Sequence, residues 1–315
     1  MWAYGVVFTG MFIVASGFAA TGLHPLAMVL FPIPVALYEA LGMRGRSRGL
    51  AACAMAAALW TTLAVPVVVV YGLSAGLGLV IGAASRRHWS FGRCVAVVTL
   101  ASFPLMAAGI VANWKEARHE FTIWMSARIA ELQAASKATG ESELQSVYIE
   151  MCRWLDLNWP YVVLGIVFGC MLLGALVTVA VVTGRLRRLG ADTLSGFFRE
   201  MRTPEWLVWL AILVALLWFL DRRWPNDALR IVTWNSAIGL AVVYLVNGFS
   251  ILVYAVYAFK LNPFLFYMII FGLFYLGLQP MLCAIGFFDT WWDFRMRFAR
   301  AAQARLNRPP EDNET

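Results

Sequence analysis

Charge is scarce in this sequence, because aspartate, glutamate, lysine and arginine together make up only 14% of its 315 residues. Soluble domains carry about 25% charged residues, and their apolar fraction of about 45–50% lies well below the 61% found here. A water-soluble globule is therefore excluded. Apolar runs recur at the length of about 20 residues that crosses a bilayer, which predicts an all-α, polytopic transmembrane helical bundle.

Motifs of catalysis and cofactor binding are also missing. The five cysteines are scattered without a CxxC pair, and the three histidines do not form the i, i+4 pair of a metal-binding helix. A nucleotide-binding loop, a serine-nucleophile elbow and a dinucleotide fingerprint are absent as well. We therefore expect no enzyme activity, no metal and no cofactor.

Arginine supplies 22 of the 25 basic residues, and the net charge is +7. Because these arginines concentrate in alternate loops, the positive-inside rule explains the charge without nucleic acid as a partner. It predicts a multi-pass protein of a bacterial inner membrane with a cytoplasmic N-terminus. The three loops hold Arg44, Arg46 and Arg48; Arg86, Arg87 and Arg93; and Arg185, Arg187, Arg188, Arg199 and Arg202.

Eight to nine spans fit the apolar runs. An odd number sends the arginines after residue 294 to the outer side, against the charge rule, so either one late segment is re-entrant or the tail escapes the rule. The runs are 2–23, 26–41, 50–85 (long enough for two helices), 94–114, 159–184, 204–220, 231–259 and 263–287.

Between the fifth and sixth spans lies the only extended polar segment, residues 114–158, whose apolar residues recur at helical spacing. This pattern predicts an external amphipathic helical hairpin, which either rests on the membrane surface or closes over a cavity as a lid. We divide the chain into a six-helix membrane core (1–188, hairpin included), a region of additional membrane helices ending in an amphipathic interfacial helix (189–307), and a disordered tail (308–315).

Polar side chains within apolar runs are costly unless they are paired or hydrated, so they mark candidate sites. Glu39 is expected to pair with an arginine of the nearby cluster or, less simply, to carry a proton. Asn247, Ser250 and Tyr254 share one face of a helix, which either makes interhelical hydrogen bonds or lines a ligand cavity.

Three further features complete the candidate sites. Asp289, Asp293 and Arg295 fit a lipid-headgroup site, an ion pair within one helix or an interface anchor. Glu205 is added to the candidate ligand-binding residues. Ala15 and Ala19 give the first run a small-residue face on which a partner helix could dock.

Several short motifs resemble the YybS-like bacterial membrane proteins, a group of unknown function. They are Pro32-x-Pro34 with Gly42-Met43-Arg44, residues 202–209, Asn247-Gly248, and residues 286–295. That family is distantly similar to the S components of energy-coupling factor transporters. The resemblance implies that residues 1–188 form a substrate-binding bundle, that Ala15 and Ala19 dock on a coupling subunit, and that the hairpin covers the ligand.

The leading hypothesis is accordingly a binding or transport component for a small or amphipathic ligand, energised by a partner. A membrane assembly or scaffold protein that binds other membrane proteins is one alternative. A lipid-handling protein that holds headgroups near Asp289 and Arg295 is the other.

Overall fold

The computed structural model describes residues 32–43, 45, 47–49, 65–139, 143–191 and 194–306, and helices dominate all the longer ranges. The described α-helices, numbered in chain order, are α1 (Pro32–Ala40), α2 (Val65–Arg86), α3 (Phe91–Ala112), α4 (Trp114–Thr139), α5 (Glu143–Leu157), α6 (Trp159–Arg188), α7 (Leu207–Arg223), α8 (Asp227–Ala258), α9 (Pro263–Tyr275), α10 (Gln279–Trp292) and α11 (Phe294–Leu306).

Three of these helices, α3, α6 and α8, are long and apolar enough to cross a membrane. With a rise of about 1.5 Å per residue, even α3, at 22 residues, exceeds the hydrocarbon thickness of about 30 Å. A helical fold with membrane-capable helices is thereby confirmed for the described part of the chain. The count of eight to nine spans stays a prediction. The docking residues Ala15 and Ala19 lie outside the described residues, as does the predicted disordered tail.

Glycines bring several helix pairs into backbone contact, as small residues do in membrane bundles. A Cβ built on Gly82 of α2 would lie 2.7 Å from the carbonyl oxygen of Ala36 in α1. The α8–α10 crossing is tighter, because a Cβ on Gly248 would lie 2.0 Å from the Leu282 oxygen, and one on Gly286 would lie 2.0 Å from the Tyr244 oxygen.

The prediction of one continuous span at residues 263–287 is wrong, because the run is divided between α9 and α10. Gly277, with φ +68°, adopts a left-handed conformation between them that interrupts helical hydrogen bonding. The chain then returns to where it left α8, because the rings of Phe259 and Phe298 are 5.8 Å apart. Residues 260–293 therefore form a returning excursion.

The return places α11 at the arginine-rich end of the bundle. Arg295 in α11 contacts Arg199 and Met201, which lie in the loop after α6. Two short helices thus stand where one span was predicted, and the side of the membrane on which α11 lies stays a prediction. An ion pair within one helix, one of the alternatives for Asp289, Asp293 and Arg295, is also wrong, because Asp293 adopts φ +39° and separates α10 from α11.

Residues 114–158 form two helices, α4 and α5, that contact each other through an ion pair between Arg118 and Asp156 at 3.0 Å. At their base, Phe121 stacks on Trp159 with ring centroids 4.1 Å apart. Large apolar side chains such as Trp124 (60%) remain exposed. The position of this hairpin on the outer membrane surface stays a prediction.

Glu39, in the buried part of α1, accepts hydrogen bonds from Arg86 at 2.5 Å and from Ser47 at 2.6 Å. An arginine partner was expected, but from the cluster at residues 44–48. The close packing of α2 on α1 brings Arg86 to the carboxylate, while Arg44 and Arg46 lie outside the described residues.

Candidate functional site

A connector of residues 194–206, within the link between α6 and α7, organises the arginine-rich end. It contains a 3-10 turn at Phe198–Glu200. Ser195 fixes it to the start of α3, because its carbonyl accepts from the Phe91 amide (3.0 Å) and its amide donates to the Trp89 carbonyl (2.9 Å). The connector therefore covers one end of α3.

Cation–π contacts hold the same segment from its other side. The guanidinium of Arg187 lies 3.7 Å from the centroid of the Phe197 ring, and that of Arg199 lies 4.2 Å from it. Arg199 also lies 3.6 Å from the ring of Tyr257 near the end of α8. Such contacts contribute about 0.5–2 kcal/mol each, which favours a fixed connector.

Beneath the connector lies a buried polar cluster made of Asn247, Ser250, Asp289 and Arg295, termed the Arg295 cluster. Their exposed fractions are 0%, 0%, 9% and 3%. Arg295 forms a salt bridge with Asp289 and hydrogen bonds to Ser250 (2.5 Å) and Asn247 (3.2 Å). The structure thus brings four of the predicted site residues together.

The guanidinium of Arg295 is fully occupied by protein groups. Besides its side-chain partners, its Nε donates to the Arg199 carbonyl (3.1 Å) and its Nη2 donates to the Met201 carbonyl (2.6 Å). Burial lowers the pKa of Arg295, and the Asp289 carboxylate opposes this shift. Because each guanidinium nitrogen already has a partner, this geometry suits holding the connector in place. A direct ligand-binding role of the cluster stays a prediction.

Asp293 lies next to the cluster and binds the connector through Arg202. Arg202 donates two hydrogen bonds to its carboxylate, at 3.2 and 3.3 Å, and the Arg202 side chain is 59% exposed. Asp293 also accepts from the backbone amide of Met296 at 3.3 Å, in the first turn of α11. The Asp293 carboxylate therefore caps the first turn of α11 and also pairs with Arg202.

Two predicted site residues lie apart from this cluster. Tyr254 is half-buried on α8, one helical turn beyond Ser250. Glu205 is exposed just before α7. The structure shows no contact that brings either side chain to Arg295.

A cavity of about 730 Å³ lies between α3, α6, α8 and the connector, and is termed the connector cavity. Its polar lining residues, among them Arg93, Arg202 and Glu200, belong to the connector and the start of α3, and this polar end is termed the mouth. None of the described residues of the α4–α5 hairpin lines it. Its walls are apolar and include Val95, Ala96, Leu100, Phe168, Leu172 and Val243.

A second, more open groove of about 610 Å³ lies between α7, α8 and α10. It is lined by apolar side chains such as Val214, Leu240 and Phe287, and no lining residue is charged. Its polar lining groups, such as the hydroxyls of Thr233 and Tyr244, carry no charge, so the connector cavity is the better candidate site for a headgroup.

Sequence reasoning missed the connector and its contacts. Arg93 was assigned to the charge rule alone, and Arg202 to the charge rule and to the motif at residues 202–209. The acceptors at Arg199 and Met201 are backbone carbonyls, which leave no trace in a sequence pattern. The available signal was the presence of three polar residues, Asn247, Ser250 and Arg295, in or beside apolar runs. Such residues need polar partners when the segments that carry them pack together.

Comparison with known proteins identifies the family. A family model described as "Predicted membrane protein (DUF2232)" matches residues 7–290, so the chain belongs to that family. No curated protein and no solved structure matches it.

Proposed function

We propose that this member of the DUF2232 predicted membrane protein family is a non-enzymatic protein that binds an amphipathic ligand in the connector cavity. The observation that supports this function is the shape and lining of that cavity. Its volume of about 730 Å³ falls within the range of about 300–1,000 Å³ that small-molecule sites occupy.

The division between apolar wall and polar mouth favours an amphiphile over a polar solute. Leu172 and Val243 belong to the membrane-capable helices α6 and α8, and they would contact an apolar chain. Arg93 and Arg202 lie at the mouth, where a headgroup could keep its hydrogen bonds. A fully polar solute would leave the apolar wall without a partner.

Transport is an extension of this proposal. It draws on the similarity of residues 1–188 to S components, reached through the YybS-like motifs, and it needs an energising partner because the sequence has no nucleotide-binding motif. We place the arginine-rich end at the cytoplasmic face of a bacterial inner membrane by the positive-inside rule.

Native mass spectrometry of the purified protein tests the binding function. Ala96 and Ala101 are both exposed on α3, but only Ala96 lines the connector cavity. Ala96→Trp should fill the cavity and abolish co-purification of a bound amphiphile, whereas Ala101→Trp should retain it. Equal retention by wild type and Ala96→Trp would refute binding at this place.

A further inference from the structure

We infer that the ligand of the connector cavity carries an anionic headgroup, which Arg93 and Arg202 bind. This inference rests on the proposed function and names its ligand class: a membrane amphiphile whose head bears a net negative charge, such as a phosphodiester. The support is the placement and engagement of the charged groups at the cavity mouth.

Arg93 lies in the first turn of α3 and its guanidinium stacks on Trp89, 4.5 Å from the ring centroid. Stacking uses the face of the guanidinium, so its N–H groups, which lie in the plane, remain directed past the ring. Ser90 caps the same helix by accepting from the Arg93 amide at 3.3 Å. The positive end of the helix dipole therefore adds to the charge of Arg93.

Arg202 already binds an anionic group in the structure, namely the carboxylate of Asp293 at 3.2 and 3.3 Å. Two parallel N–H donors suit a phosphate as well as a carboxylate. Because Arg202 is 59% exposed and lines the cavity, a ligand phosphate can take the place of Asp293 without unfolding the connector. Asp293 is then a competitor whose removal favours the ligand.

Glu200 is the acidic group among the residues lining the cavity. Its carboxylate is engaged within the connector, because one oxygen accepts from the Phe197 amide at 3.1 Å and the other lies 3.7 Å from Nε of Arg199. Two arginines against this one carboxylate give the lining residues a net charge of +1, by subtraction, and Asp293, which does not line the cavity, balances this charge until a ligand displaces it from Arg202. An anionic head is therefore favoured over a zwitterionic one.

The experiment compares dioleoyl-phosphatidylglycerol with dioleoyl-phosphatidylcholine, two probes with the same chains, by native mass spectrometry of the full-length protein. We expect tighter binding of the anionic lipid by about tenfold, the size of one charge-assisted hydrogen bond. Arg202→Gln and Arg93→Gln should each remove most of this preference. Arg87→Gln, a change of the same type at an exposed position outside the cavity, should leave it intact.

Asp293→Asn should have the opposite effect and raise the affinity for the anionic lipid. Asparagine tolerates the left-handed conformation of residue 293 and can still accept from the Met296 amide. Without the competing charge, Arg202 should bind the anionic lipid several-fold more tightly, while binding of the zwitterionic lipid stays unchanged.

The outcomes separate this inference from the proposed function. Equal affinity for both lipids, with binding of both lost in Ala96→Trp, would overturn the anionic class and leave the cavity as a binding site. Binding of both that survives Ala96→Trp would overturn the proposed function. Displacement of the anionic lipid by inorganic phosphate alone would show a site for free anions and overturn the assignment to an amphiphile.

Discussion

Arg295 donates to the carboxylate of Asp289 across the break between α10 and α11, and both side chains are buried, with 3% and 7% exposed. The same guanidinium reaches the connector carbonyls of Arg199 and Met201. One side chain therefore joins the end of the chain to α8 and to the connector that bounds the cavity.

Removing Arg295 should destabilise the protein strongly. Arg295→Met leaves the Asp289 carboxylate buried without its cation, and breaking a buried pair from one side costs about 3–5 kcal/mol. We expect a clear fall in the thermal unfolding midpoint in detergent. Arg297→Met, an exposed change in the same helix, is the control and should leave the midpoint nearly unchanged.

The double variant Arg295→Met with Asp289→Leu sharpens this test. Replacing both partners removes the unpaired charge, so the double variant should be more stable than Arg295→Met alone. A double variant less stable than the single one would show that Asp289 contributes through something other than this pair.

Gly286→Ala tests the α8–α10 crossing. The added methyl group would lie 2.0 Å from the backbone oxygen of Tyr244, and backbone cannot move aside as a flexible side chain can. We expect a loss of at least about 1–3 kcal/mol, as for overpacked cores, visible as a lower unfolding midpoint. Gly184→Ala, on α6 with open space around its Cβ, should be neutral or stabilising by about 0.5–1 kcal/mol. Similar effects of the two changes would contradict the crossing.

Helical periodicity was sufficient to place Asn247 and Ser250 on one face, because both belong to a single long helix whose geometry repeats every 3.6 residues. It also suggested that Asp289, Asp293 and Arg295 belong near one another. Their ion pairs do not lie within one helix, because Asp289 binds Arg295 of the next helix and Asp293 binds Arg202 of the connector. A left-handed Asp293 redirects the chain, and neither glycine nor proline marks that break in the sequence.

The connector illustrates a second limit of the sequence. Arg93 and Arg202 are 109 residues apart by subtraction, and they line one cavity only because Ser195 pairs with Phe91 at the start of α3. Arginines near membrane ends are required by topology in any case. From the sequence, an arginine that orients the protein in the membrane could therefore not be distinguished from one that lines a cavity.

Arg86→Met should destabilise the contact between α1 and α2. Glu39 is 7% exposed and would lose a charged hydrogen-bond donor at 2.5 Å. Hydrogen bonds to charged groups contribute about 1.5–3 kcal/mol, so the free energy of unfolding should fall by about this amount. The fall should be visible as a lower thermal unfolding midpoint. Arg87→Met, at the exposed neighbouring position, is the matched control. An equal effect of both changes would indicate a general response to lost charge.

The ends of α3 should lie on opposite sides of the membrane, with the hairpin at one end and α11 at the other. Glu131 in α4 and Arg300 in α11 are both exposed, so Glu131→Cys and Arg300→Cys, in a variant with its five cysteines replaced by alanine, should both react readily. An impermeant maleimide should label them from opposite faces of sealed vesicles, because α3 is a membrane-capable helix.

Arg87→Cys should label from the same face as Arg300→Cys, since Arg295 contacts the connector and the connector binds the start of α3. Labelling of Arg300→Cys from the face of Glu131→Cys would disprove the returning path of residues 260–293.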